Sequence, residues 1–315
     1  MPPVSLFLFQ GTGRLQFGPH PERARPDAEL LLMHLLRKDR AWLIAHSNDE
    51  VEPSRWAPYH ALLQRRRDGE PIQHITGEQE FYGLPFRVTP DVLIPRPETE
   101  HLVETALEVA AAFDGSEANR SVTRHDFSRA ETGPKIDRAS APANSGPPRI
   151  LDVGTGSGAI AVSLAHNLPR AHITAVDISA AALQIARENA ASNEVAARVR
   201  FLESDLLSAV ANERFELVVS NPPYVPAADR ATLSVEVREY EPALALFAGD
   251  DGLDIYRRLI PQAFAVLEPQ GSLLMEIGFG QSEQVAFLLT QAGFEQIEFV
   301  PDLQGIPRVA CAVRR

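Results

Sequence analysis

The chain has 315 residues, a hydrophobic content of 44% and a net charge of −12, from 30 Lys and Arg against 42 Asp and Glu. This length suggests two domains, and the acidic balance argues against a broad phosphate-gripping surface. One cysteine, Cys311, excludes an intrachain disulfide framework and a multi-thiolate zinc site. The nine histidines show no ligand spacing, so no metal is expected. No apolar run approaches a membrane span, and Val4–Phe9 is too short for a secretory signal, so a soluble cytoplasmic protein is expected. The 25 prolines exceed the usual share of about 5% and need explaining.

Residues 1–25 read as an irregular Pro- and Gly-containing tail. Residues 26–76 read as a small helical domain. Asp27 is placed to cap a helix carrying Leu31, Leu32, Leu35 and Leu36 at buried-stripe spacing. A short helical piece at Ala41–His46 follows, and then a helix from Ser54 that ends in Arg65–Arg67, read as a solvated helix end. Residues 77–113 read as a β-hairpin around a Gly-Leu-Pro turn within Glu80–Val88, then the rigid loop Ile94–Pro97 leading into a helix with carboxylates in its first turn. Residues 114–148 contain no leucine and only Val122, Phe127 and Ile136 as large apolar residues, so they read as a disordered insertion.

From 149 to 315 short β-rich runs alternate with helical segments, which predicts an α/β domain with a mostly parallel, Rossmann-like sheet. Ligands are then expected at the carboxyl ends of its strands. The strand ILDV runs into Gly154-Thr155-Gly156-Ser157-Gly158 and then into an apolar helix. Glycines here permit a tight turn and close approach of backbone N–H groups to a ligand. Asp177, 19 residues after Gly158 and ending the second strand, is placed to accept from both hydroxyls of a ribose. Asp152, just ahead of the loop, would repel a pyrophosphate, and together they resemble the first motif of class I S-adenosylmethionine-dependent methyltransferases, which implies that this acid faces the ammonium end of a methionine moiety. Asp205, after VRFLE, reads as a helix cap by capping preference, and it resembles the position that contacts the adenine amino group in class I S-adenosylmethionine-dependent methyltransferases, which implies Leu206 packing beside the ring.

After the strand FELVVS comes Asn221-Pro222-Pro223-Tyr224. Two prolines stiffen the loop, the Asn221 amide oxygen and the Pro222 carbonyl offer two acceptors, and Tyr224 offers an aromatic face. Two rigid acceptors suit a planar –NH2 with two donors. Aligning such a nitrogen with an activated methyl needs no strong general base, because the methylated nitrogen sheds its proton afterwards.

The glycine loop, Asn221–Tyr224, the segment 73–100 (QHITGEQEFYGLPFRVTPDVLIPRPETE) and the segment 237–260 together resemble the protein-glutamine N5-methyltransferases of the PrmC/HemK type. The resemblance implies a class I S-adenosylmethionine-dependent methyltransferase domain with a seven-stranded sheet, and a helical domain that docks the release factor. It implies methyl transfer to the glutamine of the Gly-Gly-Gln motif of class 1 peptide chain release factors, with S-adenosylhomocysteine as product. Gly154, Thr155, Gly156, Ser157, Gly158, Asp177, Asp205, Leu206 and Asn221 are then the cofactor-binding candidates. Asn221, Pro222, Pro223 and Tyr224 are the substrate-binding candidates, with Asn221, Pro222 and Tyr224 also candidate catalytic residues. Position 206 is Leu where some relatives carry tryptophan, and 114–148 is longer than the usual connection. The alternative is a nucleic-acid amino-methyltransferase acting on adenine N6 or cytosine N4, which would need to flip a base and anchor phosphates. The acidic charge counts against it, so no direct nucleic-acid contact is expected. A monomer without membrane association is expected. Arg96, Glu241 and Glu276 carry no catalytic assignment, the two glutamates reading as helix caps or salt-bridge partners.

Overall fold

The computed structural model describes residues 2–114 and 146–315. The expectation of disorder for 114–148 falls mainly on residues 115–145, outside the described residues. Two compact units emerge: Met1–Glu78 with Ala231–Glu241, and Gln79–Arg230 with Pro242–Arg315.

The first unit is helical, with α1 (Val4–Leu15), α2 (Ala24–Leu36), α3 (Arg40–Ala45), α4 (Trp56–Arg67), α5 (Ile72–Thr76) and, from the later segment, the short helix α9 (Val235–Tyr240). Helix α1 corrects the reading of residues 1–25 as an irregular tail. Val4, Phe7, Leu8, Gly11 and Leu15 form its buried stripe at helical spacing. Gly11 is what obscures that stripe in the sequence and also what makes the packing possible. A Cβ at Gly11 would lie 2.3 Å from the Tyr59 hydroxyl oxygen, and that buried hydroxyl donates to the Ala28 carbonyl at 2.9 Å.

Asp27 is not a cap. It lies in the first turn of α2, buried, and its Oδ2 accepts from Arg66 Nε at 2.6 Å. Arg66 is correspondingly buried rather than solvated, and it also pairs with Glu236. A guanidinium inside a small helical core is tolerable only with carboxylates of this kind beside it. Helix α3 takes its cap from Asp39, whose Oδ1 accepts from Trp42 N at 2.7 Å.

The strands β1 (Glu78–Phe81), which begins on the last residue of the first unit's main segment, and β2 (Leu84–Arg87) form the hairpin. Its turn is Tyr82-Gly83, both at positive φ, rather than the expected Gly-Leu-Pro. A short 3₁₀ turn, Pro97–Thr99, opens α6 (Glu100–Asp114). The main sheet holds β3 (Arg149–Val153), β4 (His172–Asp177), β5 (Val199–Glu203), β6 (Phe215–Ser220), β7 (Leu267–Glu276), β8 (Phe294–Pro301) and β9 (Pro307–Arg314) in the order β5-β4-β3-β6-β7-β9-β8. The first five in that order are parallel, and β9 runs antiparallel to both β7 and β8.

Strand residues alternate between two apolar cores. Ile150, Leu217, Val219 and Leu274 join α6 and α7 (Ala159–Asn167) on one face. Leu151, Val218, Leu273 and Met275 join α10 (Asp254–Val266) and α11 (Ser282–Gln291) on the other. A strand buried on both faces is mostly apolar, which accounts for Ile150, Leu151 and Val153 in β3 and for Leu217, Val218 and Val219 in β6, while the buried carboxylates among them, Asp152 and Glu216, accept from Thr155 Oγ1 and Arg149 N. Helix α8 (Ala180–Ser192) carries the hairpin: Asn189 Oδ1 accepts from Arg87 N at 2.7 Å and its Nδ2 donates to Arg87 O at 3.0 Å.

Candidate active site

Strand register gathers the sequence motifs at one end of the sheet. Val153, the last residue of β3, pairs with Val176 of β4 and with Ser220, the last of β6. The residues that follow, Gly154–Gly158, Asp177 and Asn221–Tyr224, therefore leave adjacent parallel strands at their carboxyl ends. Asp177 pairs in turn with Glu203, so Asp205 lies two residues beyond the same edge.

The glycine loop is shaped from beneath and from the side. Gly154, Gly156 and Gly158 have φ of 73°, 54° and 82°, a region costly for residues with a Cβ. Among the described residues a Cβ at Gly154 or Gly156 would meet nothing within 4 Å, so the space beside these two is open, whereas one at Gly158 would lie 3.1 Å from Ala186 Cβ. The first two glycines leave room for a ligand, and the third lets α7 approach α8. Asp177 accepts from Gly156 N through Oδ2 at 2.8 Å and from Ser179 N through Oδ1 at 2.9 Å. The carboxylate keeps lone-pair capacity for a ligand hydroxyl. Burial raises the Asp177 pKa, and the backbone N–H donors at Ser179, Gly156 and Ile178 oppose that shift.

Asp152 lies wholly inside, its Oδ2 accepting from Thr155 Oγ1 at 2.6 Å and Ala161 N at 3.2 Å. Among the described residues its Oδ1 is buried without a hydrogen-bond partner. Burial pushes its carboxyl up to about 7. The described role of Asp152 is thus to brace the loop from below. Asn189 adds a brace that the sequence reading missed, donating from Nδ2 to Ser157 O at 2.8 Å.

Asp205 is exposed and pairs with Arg258 at 2.6 Å, and its carbonyl accepts from Ser208 N at 3.2 Å. Leu206 is half-buried with φ of 49° and packs on the α10 face of the sheet.

In the Asn221–Tyr224 loop, Pro222 is buried and the other three residues are partly exposed. The Asn221 Nδ2 donates to Thr99 Oγ1 at 3.0 Å, and the Thr99 hydroxyl donates to Glu276 Oε2 at 2.6 Å. Tyr224 donates its hydroxyl to Glu276 Oε1 at 3.2 Å, while its carbonyl accepts from Gln281 Nε2 at 3.0 Å. Burial first, and then the Glu276 charge, raise the Tyr224 pKa, against the lowering effect of Arg308 and Arg96. Burial likewise raises Glu276, and its hydrogen bonds from Thr99 and Tyr224 oppose that shift. Neither Thr99 nor Glu276 was assigned to the site from sequence. The available signal was a carboxylate closing the otherwise apolar strand SLLME, and a threonine inside the Pro-rich loop.

The open loop, the acid beside it and the absence of any inserted side chain at Gly154 and Gly156 fit a nucleoside-bearing ligand. Among the described residues no group of His, Cys, Asp and Glu could hold a metal ion, and no helix is long and apolar enough to cross a membrane.

Comparison with known proteins agrees in both units. Residues 140–237 match the methyltransferase small domain and residues 11–77 match the PrmC N-terminal domain. The solved hMettl16 catalytic domain in complex with MAT2A 3'UTR hairpin 6 shares the fold with a TM-score of 0.51 at 13% identity, over 83% of this chain and 82% of that one. The release factor glutamine methyltransferase of Koribacter versatilis is 44% identical over 286 residues, 90% of this chain and 89% of its own. That of Deinococcus radiodurans is 40% identical over 309 residues, 98% of this chain and 97% of its own. Similarity of this degree along almost the whole length, joined to a seven-stranded sheet with a glycine loop and an Asn-Pro-Pro-Tyr loop on neighbouring strand ends, shows that the chain belongs to the release factor glutamine methyltransferases.

Proposed function

We propose that the protein transfers a methyl group from S-adenosylmethionine to the side-chain amide nitrogen of the glutamine in the Gly-Gly-Gln motif of class 1 peptide chain release factors. The observation that carries this reading is the Val153–Ser220 pairing, which brings the glycine loop and the Asn-Pro-Pro-Tyr loop side by side at the ends of β3 and β6. A methyl donor and a planar amide have to meet at such a junction.

Gly154–Gly158, Asp177 and the Asp205-Leu206 pair would hold the cofactor, Asp177 through its remaining acceptor capacity. When bound, the cofactor supplies a methyl already activated by a sulfonium. The chain's own task is to orient the target. Asn221 Oδ1 and the Pro222 carbonyl accept the two N–H groups of the glutamine amide, aiming its nitrogen lone pair and favouring the nitrogen as positive charge develops on it. Tyr224, its ring tethered by Glu276, stacks beside the flat amide. The proton leaves after transfer, so no strong base is needed.

The helical unit at residues 26–76, extended by α1, is the docking element for the release factor in this reading. A monomer in the cytoplasm, where release factors act, is the corresponding setting. Incubation with labelled cofactor and a purified release factor tests the proposal. One methyl should appear on the Gly-Gly-Gln glutamine. Label on DNA or RNA and none on the factor would overturn it in favour of a nucleic-acid amino-methyltransferase.

A further inference from the structure

Glu276 is 3% exposed at the end of β7, and both of its oxygens are engaged by groups tied to the Asn-Pro-Pro-Tyr loop. Oε2 takes the proton of Thr99 and Oε1 takes that of Tyr224. A hydroxyl has one proton to give, and a carboxylate can only accept. With the Thr99 proton committed to Glu276, the Thr99 oxygen offers only lone pairs to Asn221. The Asn221 side chain must therefore turn its –NH2 edge toward Thr99, as observed at 3.0 Å, which leaves Oδ1 on the opposite edge. The two edges of a primary amide have nearly the same shape, so hydrogen-bond direction is what selects between them.

We propose that Glu276 is a positioning residue for methyl transfer, acting through Thr99 to fix the sense of the Asn221 amide so that its oxygen, not its nitrogen, meets the target –NH2. This rests on the reading that Asn221 accepts from the target amide. A reversed Asn221 would present donors to donors, and the target amide would lose one of the two acceptors that orient it. The same carboxylate holds Tyr224, so one buried charge sets both ends of the loop. Tyr256 fixes the carboxylate's own backbone, donating its buried hydroxyl to the Glu276 carbonyl at 3.0 Å. The arrangement places the specificity for an –NH2 over an oxygen nucleophile in a hydrogen-bond polarity that originates two residues away from the substrate.

The test measures single-turnover methyl transfer to a purified release factor by Thr99→Val, Thr99→Ser and Glu276→Gln, with factor KM, cofactor affinity and thermal midpoint for each. Thr99→Val keeps the shape but removes the relay, and should lower the transfer rate by about tenfold or more, as loss of one preorganised hydrogen-bonding group does. Its KM and cofactor affinity should stay within about twofold. Thr99→Ser restores the hydroxyl and should recover most of the rate. Glu276→Gln can present either an oxygen or an –NH2 to Thr99, so its rate should fall by an intermediate factor, and this holds the proposal open to refutation even if the valine variant is poorly folded.

The pair Asn221→Ala and Asn221→Ala/Thr99→Val separates the relay from the reading beneath it. If Thr99 acts through Asn221, the double variant should be no slower than Asn221→Ala alone. A Thr99→Val enzyme at wild-type rate, equal losses in Thr99→Val and Thr99→Ser, or a further loss in the double variant would overturn the relay. Wild-type transfer by Asn221→Ala would instead remove Asn221 from the mechanism, and the relay with it.

Discussion

Ser220 donates its buried hydroxyl to the Val153 carbonyl at 2.7 Å, joining the last residues of β3 and β6. One strand runs into the glycine loop and the other into Asn-Pro-Pro-Tyr, so this bond sets the spacing between the cofactor loop and the amide-binding loop.

Ser220→Ala removes that bond without changing the apolar packing, and should cost about 1 kcal/mol of stability. Transfer should slow by more than this stability loss explains at temperatures where the protein stays folded. Urea titration beside single-turnover rates checks both, and an unaltered rate would show that the backbone register alone sets the spacing.

Asp177→Asn keeps the side-chain shape but replaces one acceptor with a donor, and Gly156 N and Ser179 N each need an acceptor there. One loop N–H loses its partner, and cofactor binding by calorimetry should weaken by about tenfold or more. Release-factor binding should be largely unchanged. Equal cofactor affinity in wild type and variant would remove Asp177 from the cofactor site.

Asp152 gives a pH dependence with a definite sign. Its ordinary pKa of 3.8 rises to about 7 in the folded protein through burial. Between these values the unfolded chain loses a proton that the folded one keeps, so this group lowers stability as pH climbs, and its penalty is complete above about 7. Asp152→Asn keeps an oxygen toward Thr155 and Ala161 and removes the titration. Denaturation from pH 4 to 8 should show the wild type losing stability relative to the variant as pH rises. Parallel curves would mean that the carboxyl titrates at its ordinary value.

Asp27→Ala leaves Arg66 buried with its Nε unpaired, and should destabilise the helical unit by about 3 kcal/mol. Thermal unfolding of the full chain is the measurement. A loss within about 0.5 kcal/mol, the usual effect of a surface change, would show that Glu236 and the Glu70 carbonyl satisfy the guanidinium without Asp27.

The parallel sheet and both loops were legible in the sequence because β3 and β6 are mostly apolar runs, each ending at a motif of constrained geometry, glycines in one case and paired prolines in the other. The proline excess is partly accounted for by Pro222 and Pro223 and by the loop before α6. Helix α1 was not legible. Gly11 and Gly13 lower helix propensity, and the reason for Gly11 is a tyrosine 48 positions away in sequence, Tyr59, whose hydroxyl needs the space. Arg66 was misread for a similar reason, since nothing local in Arg65–Arg67 distinguishes the buried member from its solvated neighbours. Thr99, Asn189 and Glu276 were missed because their partners lie on other elements, and only the folded topology brings them to the strand ends.

Asn221 is the residue on which methyl transfer depends most directly. In a single-turnover reaction with a purified release factor, Asn221→Ala should slow methyl transfer by about a hundredfold or more while cofactor affinity stays within about twofold. Transfer at the wild-type rate would contradict the claim that Asn221 holds the glutamine amide for reaction.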